Sequence, residues 1–188
     1  MSGVGNWTTF SNGGLPVART HSNVHEIDSI GGVALVHDDQ GNLITDNTNG
    51  QSYTYDLDGR MDTATNGTDN LSYQYDALGR RVARTVGSST RVFALAGQQV
   101  VAEYASGVAP ASPLETYVYA SYIDEPVLKE GTGGTVYYSR NQQYSITALT
   151  DAVGQVVERY AYSAYGSLTI MNAAGTVLSA STFGNPYT

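Results

Sequence analysis

Apolar and polar positions alternate with period two along most of this chain, and turn-forming residues break the alternation at short intervals. Tyr53-Thr54-Tyr55 and Tyr73-Gln74-Tyr75 show it most plainly. In a strand the two tyrosines of each pair share one face, and Thr54 or Gln74 takes the other. Tyrosine and β-branched residues favour strands. Each pair runs into an aspartate with a glycine three positions later, Asp56-Leu57-Asp58-Gly59 and Asp76-Ala77-Leu78-Gly79. An aspartate there accepts a hydrogen bond from the backbone two residues on, and the glycine tolerates positive φ. Asp-x-x-Gly therefore fits a type I turn closed by a glycine bulge, a common hairpin connection. A second strand follows, such as Arg81-Val82-Ala83-Arg84-Thr85-Val86. One unit is one β-hairpin.

The unit recurs. Asp76 follows Asp56 by 20 positions (76 − 56), and Asp56 follows Asp38 of Asp38-Asp39-Gln40-Gly41 by 18 (56 − 38). Asp151-Ala152-Val153-Gly154 leads into Gln155-Val156-Val157-Glu158-Arg159-Tyr160, and Ser163-Ala164-Tyr165-Gly166 follows Tyr160-Ala161-Tyr162. A lone hairpin is marginal in water, so the units must stack on their neighbours. The expected fold is all-β: repeated antiparallel hairpins stacked into a continuous curved sheet. Residues 1–24, rich in Gly, Asn, Ser and Thr, read as an irregular segment or a terminal hairpin, and 25–188 as the array. Asn49-Gly50 and Asn66-Gly67 mark turns, and Gly131-Thr132-Gly133-Gly134 closes a plain hairpin. Gly107-Val108-Ala109-Pro110-Ala111-Ser112-Pro113 marks a loop insertion near 105–115. Only Ser145–Ala152 suits a short helical turn.

Composition narrows the function. The net charge is −8 with a pI near 4.6. That disfavours nucleic acid, which calls for a basic face. No cysteine is present, so disulfides and thiolate metal sites are excluded. No apolar run approaches the roughly 18 residues of a membrane-spanning helix. No secretory signal is visible at Met1-Ser2-Gly3-Val4-Gly5.

Each chemical motif has a plainer reading. Asp56-Leu57-Asp58-Gly59 resembles part of a calcium loop, but the further ligands and distal glutamate are absent, and the sister copy has Leu78 where a second aspartate is needed. Asp56, Gly59, Asp76, Gly79, Asp151 and Gly154 are therefore read as structural turn residues. His21, His25 and His37 read as strand-borne or exposed rather than metal ligands. No nucleophile elbow or phosphate loop occurs, so no catalytic, cofactor or metal residue is assigned. Asn6, Asn66 and Asn70 head glycosylation-type triplets, read as incidental. Tyr53, Tyr55, Tyr73 and Tyr75 could stack on sugar rings, although such rows more often cross-pack between hairpins.

Tyr-x-Tyr-Asp-x-x-Gly-Arg at 53–60 and 73–80, with Leu149–Tyr160 and the closing Phe183-Gly184-Asn185-Pro186-Tyr187-Thr188, resembles the RHS/YD-repeat family. The resemblance covers roughly 25–188. It implies a spiral of β-hairpins forming a hollow shell, which in similar bacterial proteins encloses a C-terminal toxin or effector. Related proteins sit on cell surfaces and serve adhesion. By this resemblance the chain is expected to be a non-catalytic shell module, secreted or at the cell surface. Its partners would be the remaining repeats of the same polypeptide or a neighbouring chain, and an enclosed effector. The alternative is a cell-surface adhesion or glycan-binding module. The family's Tyr-rich segment and Asp-Pro self-cleavage motif are not in this sequence, so no protease residue is carried over and the chain reads as a fragment of a longer array. It departs from the pattern at Ser163, where Asp is usual, and at His37, where Tyr is usual. Both departures are expected to weaken their turns as repeat copies.

Overall fold

A computed structural model describes residues 5–11, 14–121 and 125–187. Residues 1–4, 12–13 and 122–124 lie outside the described residues, as does Thr188 at the end of the closing Phe183–Thr188 segment. All regular structure among the described residues is β-strand. The chain divides into two compact units, Met1–Thr90 and Arg91–Thr188.

The first unit holds β1 (Thr9–Phe10), β2 (Val17–His21), β3 (Ile27–Ile30), β4 (Val33–His37), β5 (Leu43–Asp46), β6 (Gln51–Tyr55), β7 (Met61–Thr65), β8 (Asn70–Tyr75) and β9 (Arg81–Val86). Each strand pairs antiparallel with the next, so hairpins stack side by side in chain order. The 1–24 segment supplies the terminal hairpin of β1 and β2, with Phe10 opposite Val17.

The second unit holds β10 (Ser89–Ala96, beginning just before the boundary), β11 (Gln99–Ala105), β12 (Glu115–Tyr119), β13 (Pro126–Gly131), β14 (Gly134–Arg140), β15 (Ile146–Thr150), β16 (Val156–Tyr162), β17 (Leu168–Asn172) and β18 (Val177–Leu178). These too pair antiparallel in chain order. The long connection expected near 105–115 runs from 106 to 114, where the Leu114 amide donates back to the Glu103 carbonyl. Ser145–Ala152 is no helical turn. Its centre is β15, paired on both sides with β14 and β16, and cross-strand pairing prevails over a weak local preference.

One turn recurs in both units. The residues at its first position are Ser22, Asp38, Asp56, Asp76, Asn141, Asp151, Ser163 and Asn172. In each copy the first residue's amide donates to the carbonyl four residues on, and the fourth residue's amide donates back to the first carbonyl. The side-chain oxygen of the first residue then accepts further amides. Asp56 Oδ1 takes those of Asp58 and Arg60, both at 2.9 Å, and Asp76 Oδ1 those of Leu78 and Arg80 at 2.9 and 3.0 Å. Asp151 does the same with Val153 and Gln155. The register shifts by one residue beside most of these turns, as at Thr54/Tyr55, Gln74/Tyr75 and Leu149/Thr150, which is the expected bulge. Ser163 corrects the expectation of a weakened copy: its Oγ accepts the amides of Tyr165 and Ser167 at 3.3 and 3.0 Å. The turn needs an acceptor oxygen at this position, and a hydroxyl supplies one. The Asp38 turn, after His37, is likewise complete. His21 leads into another copy, headed by Ser22, and His25 holds its fourth position.

The fourth position carries positive φ: 74° at Gly59, 79° at Gly79 and 81° at Gly154. Among the described residues, only His25 (71°) and Tyr144 (63°) hold this position without being glycine, at a cost of roughly 1–2 kcal/mol each. Gly59→Val and Gly79→Val are accordingly expected to destabilise by about 1–3 kcal/mol. Gly67→Asn, at φ 84° in the Asn66-Gly67 turn, is expected to be milder, because Asn visits the left-handed region. Val at exposed Thr54 or Gln74 should change stability by about 0.5 kcal/mol or less. Denaturant melts decide it, and glycine variants with wild-type midpoints would contradict the turn geometry.

Candidate functional site

The Tyr-x-Tyr-Asp-x-x-Gly-Arg motif is a joint between hairpins. In each copy the arginine returns to its own aspartate: Arg60 Nε lies 2.7 Å from Asp56 Oδ2, and Arg80 Nη2 lies 2.6 Å from Asp76 Oδ2. Asp58 also faces Arg60, at 2.8 Å, so the carboxylates of the calcium-like segment are turned onto a guanidinium. The Arg60 backbone amide, with the guanidinium behind it, holds the Asp56 carboxyl below the usual carboxylate range. For Asp76 the Arg80 side chain has the larger effect in the same direction. Arg60 then reaches the next copy, where its guanidinium stands 5.1 Å from the centre of the Tyr75 ring. Arg81 lies over Tyr73 at 5.5 Å.

The second tyrosine of each pair ties its hairpin to the preceding one. Tyr55 donates to the Leu43 carbonyl at 3.0 Å and Tyr75 to that of Met61 at 2.8 Å. Tyr162 donates to the Ile146 carbonyl at 2.9 Å and Tyr119 to that of Val100 at 2.8 Å. In two copies the first tyrosine has a polar partner two residues earlier: Tyr53 donates to Gln51 at 2.6 Å, and Tyr160 donates to Glu158. Tyr53, Tyr55, Tyr73 and Tyr75 are all half-buried in this packing. Asp56, Asp76 and Asp151 head the turns described above, and Gly59, Gly79 and Gly154 hold their fourth positions.

Sequence reasoning missed a buried charged row in the second unit. Cross-strand partners share a face, and register links Glu103 with Glu115, Tyr117 with Lys129, Lys129 with Val136, Tyr138 with Leu149 and Leu149 with Glu158. Every one of these is buried, Lys129 to 1% and Glu158 to 0% exposure. The segment after β18 crosses over them as a strap. Lys129 Nζ lies 2.8 Å from Glu115 and donates to the Phe183 carbonyl. Arg91 and Tyr117 serve Glu103, both at 2.8 Å. Glu158 is held by neutral donors: the Tyr160 hydroxyl, Ser181 Oγ at 2.7 Å, the Thr182 amide at 2.8 Å and Thr182 Oγ1 at 3.0 Å. Tyr187 ends the strap edge-on to Tyr117, Tyr119 and Tyr138, with ring centres 5.5–6.1 Å apart. Burial, ahead of the neighbouring carboxylates and phenols, raises the Tyr117, Tyr138 and Tyr160 hydroxyls well above the ordinary phenol range. They remain protonated.

The legible signal was phase. Glu115-x-Tyr117-x-Tyr119 and Glu158-x-Tyr160-x-Tyr162 put a carboxylate in step with inward tyrosines. Gly131 belongs to the same device, since a Cβ there would overlap the Glu115 carboxylate. Among the described residues, no group of three or more His, Cys, Asp or Glu is placed to hold a metal ion. No protein-family model matches the chain, and no curated protein matches it.

Lys129→Met leaves Glu115 buried without its cation and is expected to cost about 3–5 kcal/mol. Replacing both partners in Glu115→Met/Lys129→Met should recover most of that loss, because two apolar side chains leave no orphaned charge. Urea unfolding of the two single variants and the double variant measures this. A double variant weaker than the sum of the singles would contradict the pairing.

Proposed function

We propose that this chain is a non-catalytic structural module of the RHS/YD kind, a stretch of β-hairpin shell that encloses or displays a C-terminal effector segment. The observation that carries the reading is the use made of the motif. Its second tyrosine, aspartate, glycine and arginine all serve to close a hairpin or bind it to the next one. A site built for chemistry would leave reactive groups facing an open cavity. Here the aspartates are held by arginines and backbone amides, and the buried glutamates by cations or hydroxyls. The working action is mechanical: a sheet keeps an enclosed segment from what lies outside. Its partners are further repeats, of the same polypeptide or a neighbouring chain, and the place of action is outside the cell or on its surface. An open recess lined by Tyr144, Tyr162 and Tyr187 is the observation that favours the competing reading, a surface adhesion or glycan-binding module.

The test is the product of the full reading frame. Electron microscopy should show a hollow particle, and limited proteolysis should leave a C-terminal segment intact within it. An open ribbon whose C-terminal segment is digested at the rate of a free peptide would overturn the shell reading.

A further inference from the structure

A lysine amine and a glutamate carboxylate are pressed together where solvent does not reach. Glu115 on β12 lies opposite Gly131, and Lys129 is two residues from Gly131 on β13, so the two side chains share one face of adjacent strands. Lys129 is 1% exposed and Glu115 8%. Nζ stands 2.8 Å from Glu115 Oε2. The contact is not an ordinary hydrogen-bonded pair. Among the described residues Oε2 accepts no hydrogen bond, while Nζ donates to the Phe183 carbonyl of the strap. A buried carboxylate oxygen without a donor is costly, and it calls for an explanation. Gly131 makes room for that carboxylate, since a Cβ there would overlap it. Glu103, opposite Glu115 in register and also buried, brings a second carboxylate to the same face.

We propose that Lys129 and Glu115 condense into an intramolecular isopeptide bond that staples β12 to β13. The reaction begins when an ammonium proton passes to the Glu115 carboxylate across their contact, which leaves two neutral groups in a site that penalises charge. The Nζ lone pair then attacks Glu115 Cδ. A C–N bond forms and the carbonyl electron pair moves onto oxygen. Glu103 takes the second proton from nitrogen and delivers it to the departing hydroxyl. The C–O bond breaks, the carbonyl re-forms and one water leaves. Nothing is oxidised or reduced, and no co-reactant is consumed. The strap orients the amine through the Phe183 carbonyl. Burial of both partners also shields the product amide from hydrolysis. Glu158, equally buried, is instead satisfied by the hydroxyls of Tyr160, Ser181 and Thr182 and by the Thr182 amide, so it stays a carboxylate. The proposal does not rest on the shell reading.

The experiment is mass spectrometry of the whole folded chain. Its intact mass should fall short of the sequence mass by one water, and tandem spectra of a digest should show the peptides of Glu115 and Lys129 joined. Lys129→Arg keeps the cation without a comparable nucleophile and should keep its full sequence mass. That variant is also the unreacted reference for the charge-pair variants above. Glu103→Gln should form the link about tenfold more slowly or worse, because the proton carrier is gone. A wild-type chain at its full sequence mass would overturn the proposal, as would the same mass loss in Lys129→Arg. So would a loss that maps to Asp58-Gly59, where an aspartate before glycine closes to a succinimide. A link formed at the wild-type rate in Glu103→Gln would overturn the proton path. The wild-type digest decides the matter even where Lys129→Arg fails to fold. None of these results bears on whether the longer product forms a shell.

Discussion

A side-chain oxygen at the head of a turn accepts two backbone amides, and hairpins in both units close on that bond pair. The oxygen fixes where the strand must reverse, and the residue three positions later must then enter the left-handed region. Carboxylate, amide and hydroxyl all serve, as Asp56, Asn141 and Ser163 show. The bulge beside the turn keeps the tyrosine phase intact, so each second tyrosine comes within reach of a carbonyl on the preceding hairpin. Local turn chemistry thereby sets long-range contact. This is the logic of a repeat protein, in which each unit is stabilised chiefly by its neighbours.

The two units solve the burial problem differently. Among the described residues of the first, only Asp46 and Ala83 are buried, and cohesion rests on cross-strand pairs, tyrosine hydroxyls and stacked guanidinium groups. The second has a true core of Val136, Tyr138, Ile146, Leu149 and Tyr160, with Phe183 and Tyr187 of the strap packed against it. Burial there takes charges with it. Glu115 and Lys129 neutralise each other, while Glu158 is solvated by hydroxyls and an amide from the strap. Buried charges of this kind add little net stability, but they penalise any arrangement that leaves them unpaired. The strap is therefore held in one register by polar groups and fastened by aromatic ones.

The hairpins were legible in the sequence because their signals are local: alternating tyrosines, then an acceptor, then glycine. Asp56, Gly59, Asp76 and Gly79 could be placed from spacing alone. Ser163 departs from the letter of the pattern but keeps its chemistry, because a hydroxyl accepts the same amides as a carboxylate. Ser145–Ala152 misled because a short apolar run carries no clear period, and two partner strands decided its state. The strap and the charged row were hidden for a different reason. Lys129 and Phe183 are 54 positions apart, and nothing in either segment names the other. Tyr144 was overlooked because a turn headed by Asn141 and lacking glycine does not look like the others.

The central claim is that the second tyrosine of each motif binds one hairpin to the one before it. Tyr→Phe removes the hydroxyl and keeps the ring, so it isolates that bond. Chemical denaturation of Tyr55→Phe and Tyr75→Phe, singly and together, is the direct measurement. Each single change should cost about 1 kcal/mol, with native-state hydrogen exchange rising between the joined hairpins. Wild-type midpoints and unchanged exchange in the double variant would contradict the account.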